Sequence, residues 1–253
     1  MAITTLKVGI LAAGITPDEL RDEYGSYADM FIELFNRAGE TFAYEVFDVR
    51  DDCFPDSVQQ CDAWLITGSK FSVYDGFQWI DRLKQFVRDV YAEGRPLLGI
   101  CFGHQIIAEA LGGRVEKYSD GWGVGLQRYQ VVAAHKLAGT QLKEFTLNAM
   151  HQDQVVNLPE QACVLASSTF CKYAALAYGD AVLTLQAHPE FTSKFERELV
   201  SLRKGVVIPE DVADRGLSSL IDSTIERDEE PVVRWMTTFL KQVNNEKHQA
   251  DIT

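Results

Sequence analysis

One stretch constrains this chain more than any other: Pro96–Gly113, PLLGICFGHQIIAEALGG. Leu97, Leu98 and Ile100 form a short apolar run that reads as a buried strand. A tight turn follows around Cys101, and Ile106, Ile107, Ala110 and Leu111 then recur at helical spacing. Gly112-Gly113 closes that helix. The pattern predicts strand, sharp turn and helix, with a cysteine at the bend and Gly99 and Gly103 flanking it. That is the arrangement of a nucleophile elbow, with sulfur in place of a serine oxygen. Small neighbours let the backbone bend and a substrate approach, and the helix N-terminus beyond the sulfur favours a thiolate.

The rest of the chain organises around this unit. Leu6–Leu11, Phe42–Val49 and Cys61–Thr67 read as strands, and Gln78–Tyr91 as an amphipathic helix. Tyr27, Met30, Phe31, Leu34 and Phe35 form a helical stripe, and Asp18 is a candidate cap upstream of it. Strands alternating with helices predict an α/β fold with a mostly parallel, doubly wound sheet. Ligands of such sheets gather at the C-terminal ends of strands, where Cys101 and Gly68-Ser69 both fall. Between Arg114 and Gln186 short strand-like runs dominate, predicting a meander added to the first sheet or a small antiparallel sheet beside it. Gly179-Asp180 reads as a hairpin turn. Lys194–Lys204, Pro209–Ile225 and Pro231–Val243 read as C-terminal helices, with Glu226–Glu230 a solvated linker and Asn244–Thr253 a frayed tail. The expected division is a main domain over residues 1–193 and a helical extension over 194–253 packed on it.

The formal net charge of -13 disfavours nucleic acids and anionic membranes as partners. No apolar run approaches the length of a membrane span, and the N-terminus lacks the marks of a signal peptide. Five cysteines, an odd number without a C-x-x-C pair, argue against a disulfide framework or a zinc site and fit the cytoplasm. No metal and no cofactor is expected.

A cysteine nucleophile needs a base. Among the five histidines, His104 falls on the helix past the turn, His135 in a loop and His248 in the tail. His188 follows the strand-like run Ala181–Gln186 and precedes a proline, which places it at a strand end. Glu190 is two residues further on, so in extended chain the two side chains lie on the same side. A carboxylate on one imidazole nitrogen fixes the tautomer and leaves the other nitrogen for the thiol. Taken alone, these residues leave Cys101 either a nucleophile or one more buried core thiol, the reading given to Cys53, Cys61, Cys163 and Cys171.

The elbow G-I-C-F-G-H-Q-I-I-A-x-A-L-G-G, followed downstream by His188-Pro189-Glu190, resembles the class I, triad-type glutamine amidotransferases from the first strand to Phe191. The chain looks similar to the glutaminase domain of GMP synthase and to free-standing members such as plant γ-glutamyl peptidases, which share the style of Met150–Glu160. The resemblance implies a flavodoxin-like fold. It implies Cys101 as nucleophile on the glutamine side-chain amide, His188 as its base and Glu190 as the group that orients His188. The oxyanion would be held by the backbone N–H groups of Ser69 and Phe102. Gly68, Gln105, Met150, His151 and Gln152 would bound or hold the substrate. Without the resemblance, Gln105 is a solvated helix residue and His151-Gln152-Asp153 a polar turn.

Two departures from the family pattern matter. The usual S-G-G-P after the third strand is Thr67-Gly68-Ser69-Lys70 here, and Lys70 suits a substrate with an additional carboxylate. Residues 194–253 are expected to be too few and too helical for an ATP-dependent synthetase domain, and no Gly-Lys-Ser/Thr phosphate loop is read in this sequence. Ammonia would therefore pass to a separate synthetase partner, or the reaction is plain hydrolysis. Three readings follow: a glutamine-hydrolysing amidotransferase; a γ-glutamyl peptidase or hydrolase acting on amines or glutathione conjugates, with Tyr74, Phe77 and Trp79 near the leaving group; and a non-catalytic binding module.

Overall fold

A computed structural model describes residues 5–132, 142–222 and 224–250, with residues 242–250 by backbone alone. His135 and the side chain of His248 lie outside the described residues. The first half alternates as expected: β1 (Lys7–Ala12), α1 (Asp18–Tyr24), α2 (Tyr27–Arg37), β2 (Ala43–Asp48), β3 (Ala63–Ile66), α3 (Gln78–Ala92), β4 (Leu97–Ile100) and α4 (Phe102–Ala110). Asp18 does not cap a helix; it is the first residue of α1, behind Pro17. The capping residue is Ser26. Its Oγ accepts from the Asp29 N–H at 3.1 Å, and the Asp29 carboxylate accepts from the Ser26 N–H at 2.7 Å. This reciprocal pair starts α2 and presents its buried stripe to the sheet.

The second half contributes β5 (Arg114–Lys117), β6 (Gly123–Val131), β7 (Glu144–His151), β8 (Asp153–Asn157), β9 (Ala162–Ser167), β10 (Ala175–Tyr178) and β11 (Val182–Leu185). Three helices follow: α5 (Ser193–Arg203), α6 (Glu210–Ile221) and α7 (Glu229–Ala250). One sheet runs β2-β1-β3-β4-β11-β10-β9-β6-β7, and β5 and β8 form a separate pair. Strands β2, β1, β3, β4 and β11 are mutually parallel, while β10, β9, β6 and β7 are antiparallel to their neighbours. Both forms expected of the later strands therefore occur: most extend the first sheet, and β5/β8 stands beside it.

Burial follows strand alternation. Val8, Ile10 and Leu65 point to the face covered by α2 and α7, where Phe31, Phe35, Trp235 and Phe239 are sealed. Leu11, Trp64 and Ile66 point to the opposite face, against α3 and α4. A third cluster joins α1, α2, α5 and α6 around Tyr27, Phe191, Phe195 and Leu199. Burying one such side chain contributes about 1.5–3 kcal/mol.

The segment read as a solvated linker, Glu226–Glu230, is instead tied down. The Asp228 N–H donates to Thr146 O, and the Thr146 N–H donates to Asp228 Oδ2, both at 2.8 Å. This satisfies backbone groups of β7, the last strand of the sheet. Arg227 pairs with Glu229 and donates to Phe191 O. Helix α6 ends at Ile221, short of Ile225, and α7 runs to Ala250, past Val243 and into the segment read as a frayed tail. Among the described residues no helix is long and apolar enough to cross a membrane.

Three adjacent parallel strands, β3, β4 and β11, carry the residues that matter next. Gly68 follows β3, Cys101 follows β4, and His188 follows β11.

Candidate active site

Cys101 occupies the bend between β4 and α4 with φ +51° and ψ −101°. A residue with a β-carbon seldom adopts such a backbone conformation, which costs about 1–3 kcal/mol. The surroundings enforce it. Its N–H donates to Leu185 O of β11 at 2.8 Å, and its carbonyl accepts from the Gln105 N–H at 3.0 Å as α4 begins. The flanking glycines are required by closeness. A β-carbon on Gly103 would sit 2.4 Å from Ile66 O, and one on Gly99 2.6 Å from Gly103 O. Only without those carbons can α4 start so close to β3 and β4. The thiol residue is 5% exposed and lines a cavity of about 470 Å³.

His188 leaves the end of β11 and makes an isolated antiparallel bridge to Asn148 of β7, its N–H donating to Asn148 O at 2.8 Å. Asn148 also anchors the next turn, its Nδ2 donating to Phe191 O at 2.6 Å. Within this frame His188 Nδ1 lies 2.7 Å from Glu190 Oε1, and the Glu190 side chain has no exposed surface. The imidazole stacks flat on Phe191, with ring centroids 4.0 Å apart. Burial alone drives the imidazole toward neutrality. The Glu190 charge, and the charge and hydrogen bond of Cys101, outweigh it and hold His188 well above its ordinary pKa. Gly68 closes the third side: a β-carbon there would lie 2.9 Å from His188 Cε1 and 3.7 Å from Cys101 Cβ.

The remaining residues expected at the site fall around this core. Phe102 is the first residue of α4, so its N–H is one of the groups a helix leaves unpaired at its start. Ser69 lines the cavity, its Oγ donating to Ala13 O at 2.7 Å and accepting from the Phe71 N–H at 3.2 Å. Gln105 is buried rather than solvated, its Nε2 donating to Asp153 O at 2.8 Å and Gln186 Oε1 at 3.1 Å. Met150, His151 and Gln152 line the same cavity as Cys101, and Met150 O is 4.0 Å from Cys101 Sγ. The polar turn read at His151-Gln152-Asp153 is instead the junction where β7 passes into β8. Burial pushes the His151 imidazole down to about 4, so it stays neutral at pH 7, with Nδ1 facing Asp153 O at 3.2 Å.

His104 is wholly buried on α4, with Nδ1 2.8 Å from Thr184 Oγ1, and burial pushes it down to about 3. It is a core group. Of the aromatic trio expected near a leaving group, Tyr74 alone lines the cavity. Trp79 is buried against Phe71 and Phe102, and Phe77 packs on Phe71.

Other residues joined the site without a local signal. Asn148 and Phe191 hold His188 through long-range pairing and stacking, and only the adjacency of Phe191 to Glu190 hints at this in the sequence. Lys117, Trp122, Arg203, Val206 and Val207 join the cavity wall from β5, the β5–β6 connection, the end of α5 and the turn after it. Glu196 of α5 is wholly buried; burial pushes its carboxyl up to about 7 against the opposing pull of His188, the Gly125 N–H and Arg203.

Comparison with known proteins bears on the family and the fold. The family model described as glutamine amidotransferase class-I matches residues 19–204. The chain is 31% identical over 233 residues to gamma-glutamyl peptidase 5 of Arabidopsis thaliana, covering 88% of this chain and 90% of that protein. It is 33% identical over 129 residues to the glutamine-hydrolyzing GMP synthase of Macrococcus caseolyticus, covering 50% of this chain and 23% of that protein. A glutamine amidotransferase structure from Thermotoga maritima superposes with a TM-score of 0.74 at 17% identity, covering 94% of this chain and 98% of that one.

Proposed function

The chain belongs to the class-I glutamine amidotransferase family, and from that premise we propose that it hydrolyses a γ-glutamyl amide bond through a cysteine thioester. The observation that carries the reading is the convergence of Cys101, His188 and Glu190 at adjacent strand ends, with the bent thiol facing a cavity. Cys101 Sγ attacks the γ-carbonyl carbon of the substrate. His188 takes the thiol proton and delivers it to the departing nitrogen, while Glu190 keeps Nδ1 occupied and steadies the imidazolium. The carbon–nitrogen bond breaks and a γ-glutamyl thioester remains. Water, deprotonated by His188, attacks it and releases glutamate and the free thiol.

The negative oxygen that forms at each addition would be met by the N–H groups of Phe102 and Ser69. Donors of this kind contribute about 3 kcal/mol each when aimed at developing charge. Gln105 has its Nε2 committed to Asp153 O and Gln186 Oε1, which leaves its Oε1 for the substrate ammonium. The backbone over Met150, His151 and Gln152 would hold the carboxylate end.

With glutamine as substrate the leaving group is ammonia, and a separate synthetase would consume it. A second reading keeps the thioester and enlarges the leaving group, as in a γ-glutamyl peptidase. It is favoured by a cavity of about 470 Å³ whose wall extends from Cys101 to Tyr74, Trp122 and Val206. That volume falls in the range of sites for ligands well above glutamine in size.

Glutamate and ammonia release from glutamine, set beside glutamate release from γ-glutamyl amides, tests the proposal. Turnover of at least one class, abolished in Cys101→Ala, is expected. Turnover that survives Cys101→Ala would overturn it.

A further inference from the structure

Two hydroxyls knit the end of β3 to the end of β1. Thr67 Oγ1 accepts from the Ala13 N–H at 3.0 Å and donates to Gly68 O at 3.1 Å. Ser69 Oγ donates to Ala13 O at 2.7 Å and accepts from the Phe71 N–H at 3.2 Å. Both backbone groups of Ala13 are thus held by side chains of one turn, and each hydroxyl both donates and accepts. Thr67 is wholly buried, so water does not compete for its bonds. Further along the same loop, Ser72 Oγ and Tyr74 OH donate to the Asp153 carboxylate at 2.5 Å and 3.0 Å. The loop is therefore anchored at both ends.

These bonds fix one peptide plane. Gly68 O is held by Thr67 Oγ1 and abuts Gly14, where a β-carbon would lie 2.3 Å from it. Across a trans peptide the carbonyl and the N–H point in opposite directions, so holding Gly68 O also holds the Ser69 N–H. That N–H meets no acceptor among the described residues. Ser69 lines the same cavity as Cys101, and a β-carbon on Gly68 would lie 3.7 Å from Cys101 Cβ. A free donor in the wall beside a thiol, braced from behind, suits a charge that develops only during reaction, because nothing has to reorganise when it appears. The family's usual S-G-G-P carries no hydroxyl at the position of Ser69.

We propose that Ser69 and Thr67 are positioning residues whose hydroxyls hold the Gly68–Ser69 peptide with its N–H toward the reacting carbonyl before substrate arrives. The inference rests on the γ-glutamyl amide reading above. It concerns how the oxyanion donor is held and is indifferent to which amide is cleaved. Neither hydroxyl touches the reacting atoms; both act through the Ser69 N–H. Losing a hydroxyl leaves that N–H in place but lets its peptide turn, so the loss falls on the transition state and spares the bound substrate.

The test compares Ser69→Ala with two variants that keep the hydroxyls, Ser69→Thr and Thr67→Ser, on glutamine and on γ-glutamylethylamide. Glutamate release gives kcat and KM. A whole oxyanion donor is worth about 10²–10³ in kcat, so a loosened one should lose about tenfold or more. Ser69→Ala is expected to show that loss on whichever amide the wild type cleaves, with KM little changed, while Ser69→Thr and Thr67→Ser stay near wild type. Ser69 is half-buried in a turn outside the strands and helices, so its variants should fold. Alkylation by iodoacetamide needs the thiolate but no oxyanion donor. Its rate at Cys101, followed on the peptide that contains it, should be the same in Ser69→Ala as in wild type. An unchanged kcat in Ser69→Ala, a loss confined to KM, slowed alkylation of Cys101, or an equal loss in the hydroxyl-retaining variants overturns the inference and leaves the γ-glutamyl reading in place. Failure of the wild type to cleave either amide, or turnover that persists in Cys101→Ala, overturns the parent reading and the inference together.

Discussion

His188 lies flat on Phe191, with ring planes inclined by only 4° and centroids 4.0 Å apart. Phe191 is itself pinned, by Asn148 and Arg227 on its carbonyl and by Tyr27 and Phe195 against its ring. The imidazole plane is therefore set by packing as well as by Glu190.

Phe191→Leu keeps an apolar filler but removes the flat support, which is worth about 0.5–1.5 kcal/mol for an aromatic pair. A loss of kcat of about tenfold is expected, with KM little changed, because the base is misoriented and the binding groups are not. Phe191→Tyr should restore most of the loss. Steady-state kinetics on a γ-glutamyl amide separate this from a general loss of fold, which would lower the active fraction without a rescue by tyrosine.

Glu190→Gln removes the charge that offsets burial of His188. The imidazolium then loses its main support, and the pKa of His188 falls instead of standing well above its ordinary value. A drop in kcat of about 10²–10⁴-fold is expected, the usual worth of acid–base assistance. The histidine limb of the kcat/KM profile should move to lower pH, and a pH–rate series on both proteins measures that shift.

Gly68→Ala places a β-carbon 2.9 Å from His188 Cε1, too close for an undisturbed ring. Gly68 lies past the end of a buried strand rather than inside it, so the fold should survive. Activity is expected to fall by at least about tenfold, the usual effect of a small misplacement at the reacting centre, while the melting temperature changes by a few degrees at most.

Glu196 predicts how stability varies with pH. Its folded-state pKa is raised to about 7 from an ordinary value of 4.5, so near neutral pH the folded protein holds a proton that the unfolded chain has lost. That contribution is fully present below about pH 4.5 and is lost as pH rises through about 7. Its size is on the order of 3 kcal/mol at 1.36 kcal/mol per unit. Glu196→Gln, permanently neutral, should therefore gain stability relative to wild type as pH rises from 5 to 8. Denaturant midpoints across that range measure the difference. His104 and His151, lowered to about 3 and about 4, weaken both proteins equally toward acid and cancel in the comparison.

Legibility from sequence followed the range of the interaction. The bend at Cys101 was readable because strand, glycines and helix lie within one short stretch, and Gly99 answers to contacts inside it, whereas the contact that requires Gly103, Ile66 O of β3, comes from outside it. The His188–Glu190 pair was readable for the same reason: alternate residues of extended chain share a side. The α/β fold was readable from the alternation of periods in the first half. What was not readable depends on sheet order. The Gly179-Asp180 hairpin disclosed that β11 pairs antiparallel with β10, but β11 is short and buried throughout, so its pattern does not disclose that it also pairs in parallel with β4. That placement carries His188 to Cys101. The bridge from His188 to Asn148, the arrival of Arg203 from α5, and the sealing of Glu196 under the site all follow from it. Glu226–Glu230 misled for a related reason: a run of charges resembles solvated chain until a strand edge with unmatched backbone groups lies beside it.

If Cys101 carries the γ-glutamyl group as a thioester, that intermediate can be trapped. Protein mixed with a γ-glutamyl amide, quenched in acid within one turnover and measured by intact and peptide mass spectrometry, should gain the mass of one glutamyl group on the peptide containing Cys101. The adduct should be absent from Cys101→Ala, and hydroxylamine should release it. Turnover without any adduct on Cys101, or hydrolysis undiminished in Cys101→Ala, would rule out Cys101 as the carrier of the γ-glutamyl group.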